Sequence, residues 1–470
     1  MTNYEAVIQL VYVLAAACFV IGLHLMNSPA TARRGNQVST AGMVIAIAAT
    51  LVLLIHFGTV KPIGWIALGA GTLIGAGVGL YSARTVQMTA MPQLVSMFNA
   101  VGGGAATLVA VYDYLHRENL AGGVLGTTTV ATLLDVIIGS VTFSGSLIAA
   151  GKLQGLIGGQ PIVFRGSRLL NIVLGAVILG SAVYMLTTAS QLALLVVALA
   201  SLAFGVLMVL PIGGADMPVV ISLLNAFTGT AVAMAGFVIN NWALIVAGAL
   251  VGASGGILTK LMADAMNRSI PNIIIGGFGT GDTAVLAGPG GDAQVRSIQA
   301  DDAAIQLAYA SKVIIVPGYG LAAAQAQHAV ADLASVLEEH GVEVSYAIHP
   351  VAGRMPGHMN VLLAEANVPY PQLKEMEEIN PEFARTDVAL VVGANDVTNP
   401  AARRPGSAIS GMPILNVDQA KSIIVVKRSM GHGYAGIDNE LYTDPKTSMY
   451  FADGKTALTE MTAAVKTLVS

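Results

Sequence analysis

The chain has 470 residues, of which 54% are apolar and only 11% charged, whereas a soluble globular chain carries about 25% charged residues. The charge is unevenly divided. Residues 1–270 hold 10 Lys and Arg against 6 Asp and Glu, a net of +4, and residues 271–470 hold 13 against 21, a net of −8. The acidic second half argues against nucleic acid as a partner, and the single cysteine, Cys18, excludes a disulfide within the chain.

The first 270 residues contain nine apolar segments long enough for transmembrane helices, which need roughly 20 mostly apolar residues. Proline, glycine and asparagine separate them, because lipid cannot solvate a broken helical backbone. No basic residue precedes the first segment, so we expect a retained helix there and not a cleaved signal. The predicted spans are Val7–Met26, Val38–Phe57, Ile63–Tyr81, Val86–Tyr112, Thr127–Ala150, Leu169–Leu186, Leu192–Leu210, Met217–Ile239 and Trp242–Met262.

Basic residues between the spans predict the orientation in the membrane. With nine spans, only Lys61 and Arg117 fall on one side, and an eight-span arrangement would scatter the charges. Cytoplasmic loops carry the excess of Lys and Arg, so we expect the N-terminus outside and the C-terminal half in the cytoplasm. The eight basic residues on the cytoplasmic side are Arg33, Arg34, Arg84, Lys152, Arg165, Arg168, Lys260 and Arg268.

Four polar residues lie inside or at the ends of predicted spans, where such residues are costly and often functional. Asp135 is the one carboxylate well inside a span, and we favour a functional role for it. For Asn99 and Asn225, hydrogen bonding between helices is the favoured interpretation, and for Asp216 it is capping of the eighth helix. Together the four residues are compatible with a proton path.

Residues 264–300 are rich in glycine, which predicts a flexible linker between a transmembrane domain, residues 1–263, and a soluble domain, residues 301–470. In the soluble part, Val- and Ile-rich segments alternate with helical patterns, as in a parallel sheet buried on both faces. We therefore predict a multi-span α-helical membrane bundle of about nine helices and a C-terminal α/β, Rossmann-like domain. The predicted strands are Lys312–Val316, Glu343–Ile348, Val388–Val392, Ile414–Val417, Ser422–Val426 and Ser448–Phe451.

A dinucleotide fingerprint, Gly318-x-Gly320-x-x-Ala323, follows the first strand and opens a helix predicted to run to about His340. Gly318 permits a tight turn, and Gly320 lets the backbone approach a pyrophosphate. The small Ala323 lets the helix pack on the strand, and the N-terminus of the helix favours phosphate.

The position of the cations indicates which dinucleotide is bound. An NAD-specific fold has Asp or Glu at the end of its second strand, where this chain has His349-Pro350. Lys427-Arg428-Ser429 ends the fifth predicted strand and suits a 2′-phosphate, although solvated basic residues are the alternative. The glycine-rich segment Met430–Gly436 follows at once and is typical of a mobile lid.

Three further loops lie where such folds bind ligand, at the carboxyl ends of strands. Arg354 is placed to meet a pyrophosphate, and Asp396 to bond ribose or carboxamide or to respond to protonation. The histidines near these loops lack metal-ligand spacing, so we predict no metal site. Hydride transfer requires no catalytic side chain, because the cofactor supplies the chemistry. The three loops are Val351–Pro356, Gly393–Val397 and Asp453-Gly454.

These segments together resemble the beta subunit of proton-translocating NAD(P) transhydrogenase, over nearly the whole chain. The resemblance rests on the residues 317–327, 349–358, 393–396 and 427–436. It implies an Si-specific/Re-specific enzyme in the bacterial inner membrane. It also implies NADP(H) bound by this chain in a flipped orientation, NAD(H) bound by one or more alpha subunits, and a dimer of alpha–beta units.

The expected NADP(H) site combines the fingerprint residues with those that the resemblance implies. Lys427, Arg428 and Ser429 are expected at the 2′-phosphate, Tyr434 in the lid, and Asp396 in coupling. The full set is Gly318, Tyr319, Gly320, Ala323, Val351, Ala352, Gly353, Arg354, Met355, Pro356, Gly393, Ala394, Asn395, Asp396, Val397, Gly411, Met412, Lys427, Arg428, Ser429, Met430, Gly431, His432, Gly433, Tyr434, Asp453 and Gly454.

One residue departs from the pattern of this family. Many members have at the position of Asn99 a histidine thought to handle the proton, and asparagine does not titrate at working pH. The proton carrier is then either water held by Asn99 and Asn225 or a residue from the partner subunit.

The alternatives to a redox-driven proton translocase are a nucleotide-sensing channel or transporter and a self-contained membrane reductase. A channel or transporter whose soluble domain senses nucleotide would need a pore-lining selectivity motif, and the nine spans show none. A self-contained membrane reductase would need haem or iron–sulfur ligands, which one cysteine cannot supply.

Overall fold

The computed structural model describes residues 3–58, 60–117, 127–158, 161–188, 190–213, 216–266, 269–271, 295–353, 355, 357–405, 407, 409–431, 433, 435 and 437–469. These residues form two compact units, one within Met1–Thr259 and one from Lys260 onward. Much of the predicted linker lies outside the described residues, so the boundaries at 263 and 300 stay predictions.

Nine helices among the described residues are long and apolar enough to cross a membrane, as predicted. The second begins nine residues before the predicted Val38, because Pro29 at its first turn starts a helix that hydropathy alone does not detect. The helices are α1 Asn3–Leu25, α2 Pro29–Phe57, α3 Pro62–Thr85, α4 Met91–Arg117, α5 Thr127–Leu153, α6 Ser167–Thr187, α7 Gln191–Val209, α8 Met217–Val238 and α9 Trp242–Ala265.

Helices α4, α5, α7 and α8 form the buried centre of the first unit, and α5 and α8 are its most buried helices. Small residues set the contact distances. A Cβ on Gly103 would lie 2.9 Å from Gly139 O, and one on Gly229 would lie 2.3 Å from Gly252 N. The backbones of α4 and α5, and those of α8 and α9, therefore approach each other closely at these two positions. Helix α3, in contrast, has no buried residue.

The second unit is built on a six-stranded parallel sheet with the order β3-β2-β1-β4-β5-β6. This doubly wound order reverses direction between β1 and β4, as in dinucleotide-binding folds. The strands are β1 Lys312–Pro317, β2 Glu343–Ile348, β3 Leu373–Glu375, β4 Val388–Val392, β5 Ser422–Lys427 and β6 Thr447–Phe451. The α-helices among the described residues of this unit from residue 295 onward are α10 Ala300–Ala308, α11 Tyr319–Ala323, α12 Gln327–Glu339, α13 His358–Glu365, α14 Met376–Ile379 and α15 Gly454–Val469.

The core of this unit follows from its apolar strands. Every residue of β4 is buried, as are the middle residues of β1 and β5, because helices cover both faces of the sheet. At the outer edge, Met449 N donates to Arg296 O at 2.7 Å and Ile298 N donates to Met449 O at 3.0 Å. The last residues of the predicted linker are thus hydrogen-bonded along β6.

The predicted strand Ile414–Val417 is wrong. Leu415 N donates to Val397 O at 2.9 Å, and Asn416 N donates to the side-chain oxygen of Asn380 at 2.9 Å. Because loop groups satisfy this extended backbone, it does not pair with a strand. The sheet instead includes the short β3, which the pattern of apolar residues did not predict.

The prediction of one continuous helix from the fingerprint to His340 is also wrong, because the segment forms two helices. Helix α11 ends at Ala323 and α12 begins at Gln327. Gln325 between them has φ +49, a left-handed conformation that ends a helix. The small residue that packs in α11 is Ala322, which is buried, whereas Ala323 is exposed.

Candidate functional site

The fingerprint loop after β1 and the loop after β4 meet at the point where the strand order reverses. Gly318 N donates to Val392 O at 3.0 Å, and Gly320 N donates to Gly393 O at 2.9 Å. Ligands of doubly wound folds bind in the crevice at this position. The expected residues Gly318 to Gly320 and Gly393 to Val397 are therefore brought together.

Three glycines make this contact possible. A Cβ on Gly318 would lie 2.3 Å from Ala394 Cα, and one on Gly320 would lie 2.5 Å from Gly393 Cα. Gly393 has φ +68, a conformation that favours glycine. The structure thus accounts for Gly320 by contact between two loops, a reason that the fingerprint did not predict.

The loop after β2 is held by a neutral, buried histidine. His349 Nε2 donates to Pro413 O at 2.9 Å, and Nδ1 accepts from Val351 N at 3.2 Å. Burial lowers the pKa of His349 to about 4, so the imidazole stays uncharged at neutral pH. A neutral imidazole therefore lies at the end of β2, where an NAD-specific fold has a carboxylate that binds the ribose hydroxyl.

The rest of this loop turns back towards the fingerprint. Ala352 is buried, and Gly353 has φ +102 with His358 Nδ1 2.5 Å from the position of an added Cβ. The ring of His358 lies 6.4 Å from the ring of Tyr319, between centroids. Met355 O accepts from His358 N at 3.2 Å. Arg354 and Pro356 lie outside the described residues.

Asp396, in the loop after β4, contacts the glycine-rich segment after β5. Its Oδ2 accepts from Ala435 N at 3.1 Å. A Cβ on Gly433 would lie 2.3 Å from Asp396 Oδ1. The predicted lid is thus packed against Asp396 through a position where only glycine fits. His432, Tyr434 and Gly436 of this lid lie outside the described residues.

Lys427, at the end of β5, is half-buried, and its Nζ donates to Gly431 O. The same nitrogen lies 4.6 Å from the centroid of the Tyr442 ring. Burial lowers the pKa of Lys427, while the charges of Asp396 and Asp438 oppose this effect. The ammonium is thus presented at the crevice by neighbours on both sides.

Arg428, Ser429 and Met430 continue from Lys427 and are exposed. Within the part of the chain that the structure describes, Arg428 and Ser429 have no hydrogen bond or ion pair. An exposed guanidinium beside a second cation suits a phosphate group.

The loop after β6 lies beside the fingerprint. Asp453 Oδ1 accepts from Lys455 N at 3.1 Å in the first turn of α15. A Cβ on Gly454 would lie 3.3 Å from Ala324 Cβ and 3.9 Å from Gly320 O. The expected residues Asp453 and Gly454 are therefore part of the same crevice.

Gly411 and Met412 lie behind the loop that His349 holds. Gly411 has φ +76, and its N donates to Ala402 O at 2.8 Å. Met412 packs against two clusters of buried apolar residues. Because Pro413 follows directly and bonds to His349, these residues support the loop after β2.

Tyr442 and Asn439 were missed by the sequence analysis. Tyr442 OH donates to Asn395 Oδ1 at 3.0 Å, and Asn439 Nδ2 donates to Asn395 O at 3.0 Å. No motif marks these residues, because their role depends on loops from two neighbouring strands meeting in space.

Among the described residues, no group of three His, Cys, Asp or Glu is arranged to hold a metal ion.

In the membrane unit, Asn99 and Asn225 lie on the neighbouring helices α4 and α8. Asn99 is buried, its Nδ2 donates to Ile221 O at 3.3 Å, and its backbone oxygen accepts from Thr228 Oγ1 at 3.2 Å. Asn225 is half-buried. Asn99 thus makes the interhelical hydrogen bonds that its sequence position favoured.

Asp135 is fully buried in α5, close to Gly139, which contacts Gly103 and Thr107 of α4. Neither carboxylate oxygen has a hydrogen-bond partner within the described part of the chain. A Cβ on Gly139, one turn further, would lie 3.4 Å from Asp135 Oδ1 and 2.3 Å from Thr107 Oγ1. Asp216 takes the N-cap position of α8 without a side-chain capping hydrogen bond, so capping does not account for its carboxylate.

Nine potential transmembrane helices among the described residues and a parallel sheet with glycine loops at its switch point define a membrane protein that carries a dinucleotide-binding domain. The family model described as NAD(P) transhydrogenase beta subunit matches residues 8–464, and the chain belongs to this family. The chain is 49% identical over 450 residues to NAD(P) transhydrogenase subunit beta of Rhodospirillum rubrum. The match covers 94% of this chain and 96% of the relative, and the subunit from a designated strain of that species gives the same values.

Proposed function

We propose that this chain is the NADP(H)-binding, membrane-spanning subunit of a proton-translocating NAD(P) transhydrogenase. The observation that carries the proposal is the pair of cations at the end of β5, Lys427 and Arg428, beside glycine loops at the switch point of the sheet. Family membership supports the same function over nearly the whole chain.

The residues of the crevice fit NADP(H) with its 2′-phosphate at the end of β5. Lys427, Arg428 and Ser429 would bind the phosphate, because they lie together and two of them are exposed. At the end of β2, the neutral His349 occupies the position where an NAD-specific fold has a carboxylate. This arrangement supports a cofactor orientation flipped relative to ordinary dinucleotide folds.

When bound, NADP⁺ accepts a hydride at its nicotinamide ring. The residues of this chain would bind and orient the cofactor and exclude water. None of them would act as an acid or base in the hydride transfer. Gly433 and Ala435, which pack on Asp396, would form the lid over the crevice. We propose the Si-specific/Re-specific type of enzyme on the basis of the family resemblance.

The proton path is proposed to run between α4, α5 and α8. Asn99 links α4 to α8 and does not titrate, whereas Asp135 carries a buried carboxylate without a hydrogen-bond partner in the described part of the chain. An ionised carboxylate is costly at such a site, so Asp135 is suited to take up a proton. Helices α7 and α8, which pack on α5, contain no titratable side chain.

Hydroxyl and carbonyl groups continue from Asp135 towards Asn99. Thr107 Oγ1 and Gly103 O lie 2.3 and 2.7 Å from the position of a Cβ on Gly139. Asn225 on α8, and Asp216 at the N-cap of α8, would extend the path towards the N-terminal end of that helix. Groups of this kind hold the water chains along which protons move through membrane helices.

Coupling would depend on differential affinity. Both nicotinamide couples have similar potentials, so proton movement must change how tightly NADP(H) is held in two conformations. Asp396 is placed to take part, since it accepts a hydrogen bond from the lid and influences the charge of Lys427.

The partner would be one or more alpha subunits carrying NAD(H), assembled as a dimer of alpha–beta units. We place the complex in the bacterial inner membrane, with the N-terminus outside and the dinucleotide-binding domain in the cytoplasm. The excess of basic residues on one side of the spans supports this orientation.

The test is reconstitution of the chain with an alpha subunit in liposomes that contain a pH-sensitive dye. NADH and an NADP⁺ analogue with a distinct absorbance should exchange hydride, and the dye should report proton movement that a protonophore abolishes. Hydride exchange without proton movement would contradict translocation. Proton flux that needs nucleotide binding but no hydride exchange would support the nucleotide-sensing channel instead.

A further inference from the structure

A buried tyrosine lies beside the ammonium group of Lys427. Tyr442 is 2% exposed, its ring centroid is 4.6 Å from Lys427 Nζ, and its hydroxyl oxygen is 3.5 Å from the same nitrogen. A cation within about 6 Å of an aromatic centroid is attracted to the ring face. Tyr442 therefore limits where the ammonium of Lys427 can rest.

Tyr442 is itself fixed by the loop after β4. Its hydroxyl donates to Asn395 Oδ1 at 3.0 Å and lies 3.4 Å from Ala394 O. Asn439, which is 4% exposed, donates from Nδ2 to Asn395 O at 3.0 Å and lies 3.2 Å from Asn395 Oδ1. The tyrosine thus connects the end of β5 with the switch-point loop.

We propose that Tyr442 is a positioning residue for NADP(H), which holds the Lys427 ammonium at the place where the 2′-phosphate is recognised. The inference rests on the proposed function, because it needs Lys427 to bind that phosphate. A free lysine side chain has four flexible bonds. Ordering it before the nucleotide arrives lowers the entropy lost on binding.

The protonation states of Tyr442 and Lys427 are consistent with Tyr442 positioning the lysine. Burial raises the pKa of Tyr442, so its ring stays neutral and its hydroxyl keeps its proton at working pH. Burial lowers the pKa of Lys427, and the charges of Asp396 and Asp438 oppose this effect. The neutral ring of Tyr442 therefore lies beside the Lys427 nitrogen without competing with phosphate for its charge.

The experiment measures the dissociation constants of NADP⁺ and NAD⁺ for the crevice of this chain, on the purified full-length chain without an alpha subunit, because the alpha subunit has its own NAD(H) site. Tyr442→Leu removes both ring and hydroxyl and should weaken NADP⁺ by about tenfold. Tyr442→Phe keeps the ring and should weaken NADP⁺ by about threefold. NAD⁺ should change by less than about twofold in both variants, because it lacks the group that Lys427 binds.

Tyr346→Phe is the matched control, because Tyr346 is fully buried on β2 and its hydroxyl is 3.5 Å from Val330 O, far along the sheet from β5. Thermal unfolding of each variant shows how much of the effect is structural. In a Lys427→Ala background, Tyr442→Leu should cause no further loss of NADP⁺ affinity, since the tyrosine acts through the lysine.

Equal losses for NADP⁺ and NAD⁺ in Tyr442→Leu, or an undiminished loss in the Lys427→Ala background, would overturn the positioning role. If Lys427→Ala alone leaves the preference for NADP⁺ unchanged, the assignment of the 2′-phosphate fails, and the inference fails with it. The two failures are therefore distinguishable.

Discussion

At the scale of single residues, the recognition of NADP(H) depends on two cations with different surroundings. Lys427 is half-buried and contacts Gly431 and Tyr442, whereas Arg428 is exposed. A lysine that is already placed supplies a fixed point charge, and the planar guanidinium of an arginine can add two parallel hydrogen bonds. The pair therefore combines a fixed and an adaptable contact to one phosphate.

Removal of both cations tests this assignment. Lys427→Ala combined with Arg428→Ala should weaken NADP⁺ by on the order of a hundredfold or more, because hydrogen bonds to charged groups contribute about 1.5–3 kcal/mol each. NAD⁺ should be affected far less. Lys421→Ala is the control, since Lys421 precedes the opposite end of β5 and pairs with Asp387. Equal losses for both nucleotides, measured by titration calorimetry, would refute the assignment.

His349 predicts how the stability of the domain depends on pH. Burial lowers its pKa from 6.5 to about 4, so the unfolded chain takes up a proton in this interval and the folded chain does not. The stability is therefore complete above pH 6.5 and should decrease by on the order of 3 kcal/mol as pH falls to 4. Thermal unfolding at several pH values measures this loss.

His349→Gln should flatten this pH dependence, because glutamine does not titrate and can still donate to Pro413 O. The control is His340→Gln, because His340 is the exposed C-cap residue of α12. A variant His349→Gln with an unaltered pH profile would show that other groups determine the acid sensitivity.

At the scale of elements, the contact between α4 and α5 contains the proposed proton carrier. Asp135→Asn keeps the shape of the side chain but removes its ability to titrate, so proton movement in liposomes should fall by at least about tenfold. NADP⁺ binding should be unchanged, because Asp135 lies in the membrane unit. Asp135→Glu should retain part of the activity. Normal proton movement in the asparagine variant would remove Asp135 from the path.

The lid after β5 offers a steric test. A Cβ on Gly433 would lie 2.3 Å from Asp396 Oδ1, whereas a Cβ on Gly431 would have Ser429 Oγ at 3.5 Å as its nearest neighbour. Gly433→Ala should therefore displace the lid and accelerate NADP⁺ dissociation by about tenfold, a loss of about 1.4 kcal/mol. Gly431→Ala should have a smaller effect in the same stopped-flow measurement. Equal rates in the two variants would argue against contact between Gly433 and Asp396.

Elements whose formation depends on composition and periodicity were predictable. The nine spans are long and apolar, and the strands β1, β4 and β5 are continuous runs of Val and Ile buried on both faces. Ile414–Val417 is also mostly apolar, but its backbone forms hydrogen bonds with Val397 and Asn380. Apolar composition indicates burial and does not reveal which backbone groups will pair.

Only part of the candidate site was predictable from the sequence. Gly318, Gly320 and the cations after β5 stand directly at strand ends, which the fold brings to one edge. Tyr442 and Asn439 belong to a loop without a motif, and their contacts with Lys427 and Asn395 arise only when neighbouring strands align. A linear pattern cannot express that alignment.

At the scale of the whole molecule, the orientation in the membrane is open to direct measurement. Cys18 is the only cysteine, so a Cys18→Ala background permits single cysteines elsewhere. A membrane-impermeant maleimide should label Lys61→Cys in intact cells and should label Arg165→Cys only after permeabilisation, because the basic side faces the cytoplasm. The opposite labelling pattern would invert the proposed topology.

The backbone pairing of Arg296 and Ile298 with Met449 has a practical consequence for preparing the dinucleotide-binding domain alone. A fragment cut at the predicted boundary, residue 301, would lose both hydrogen bonds and also Gln299, which forms a capping box with Asp302. It would leave β6 as a bare outer strand, and unprotected strands of this kind recruit other chains and aggregate. A fragment that starts at residue 295 or earlier keeps the pairing and should remain monomeric.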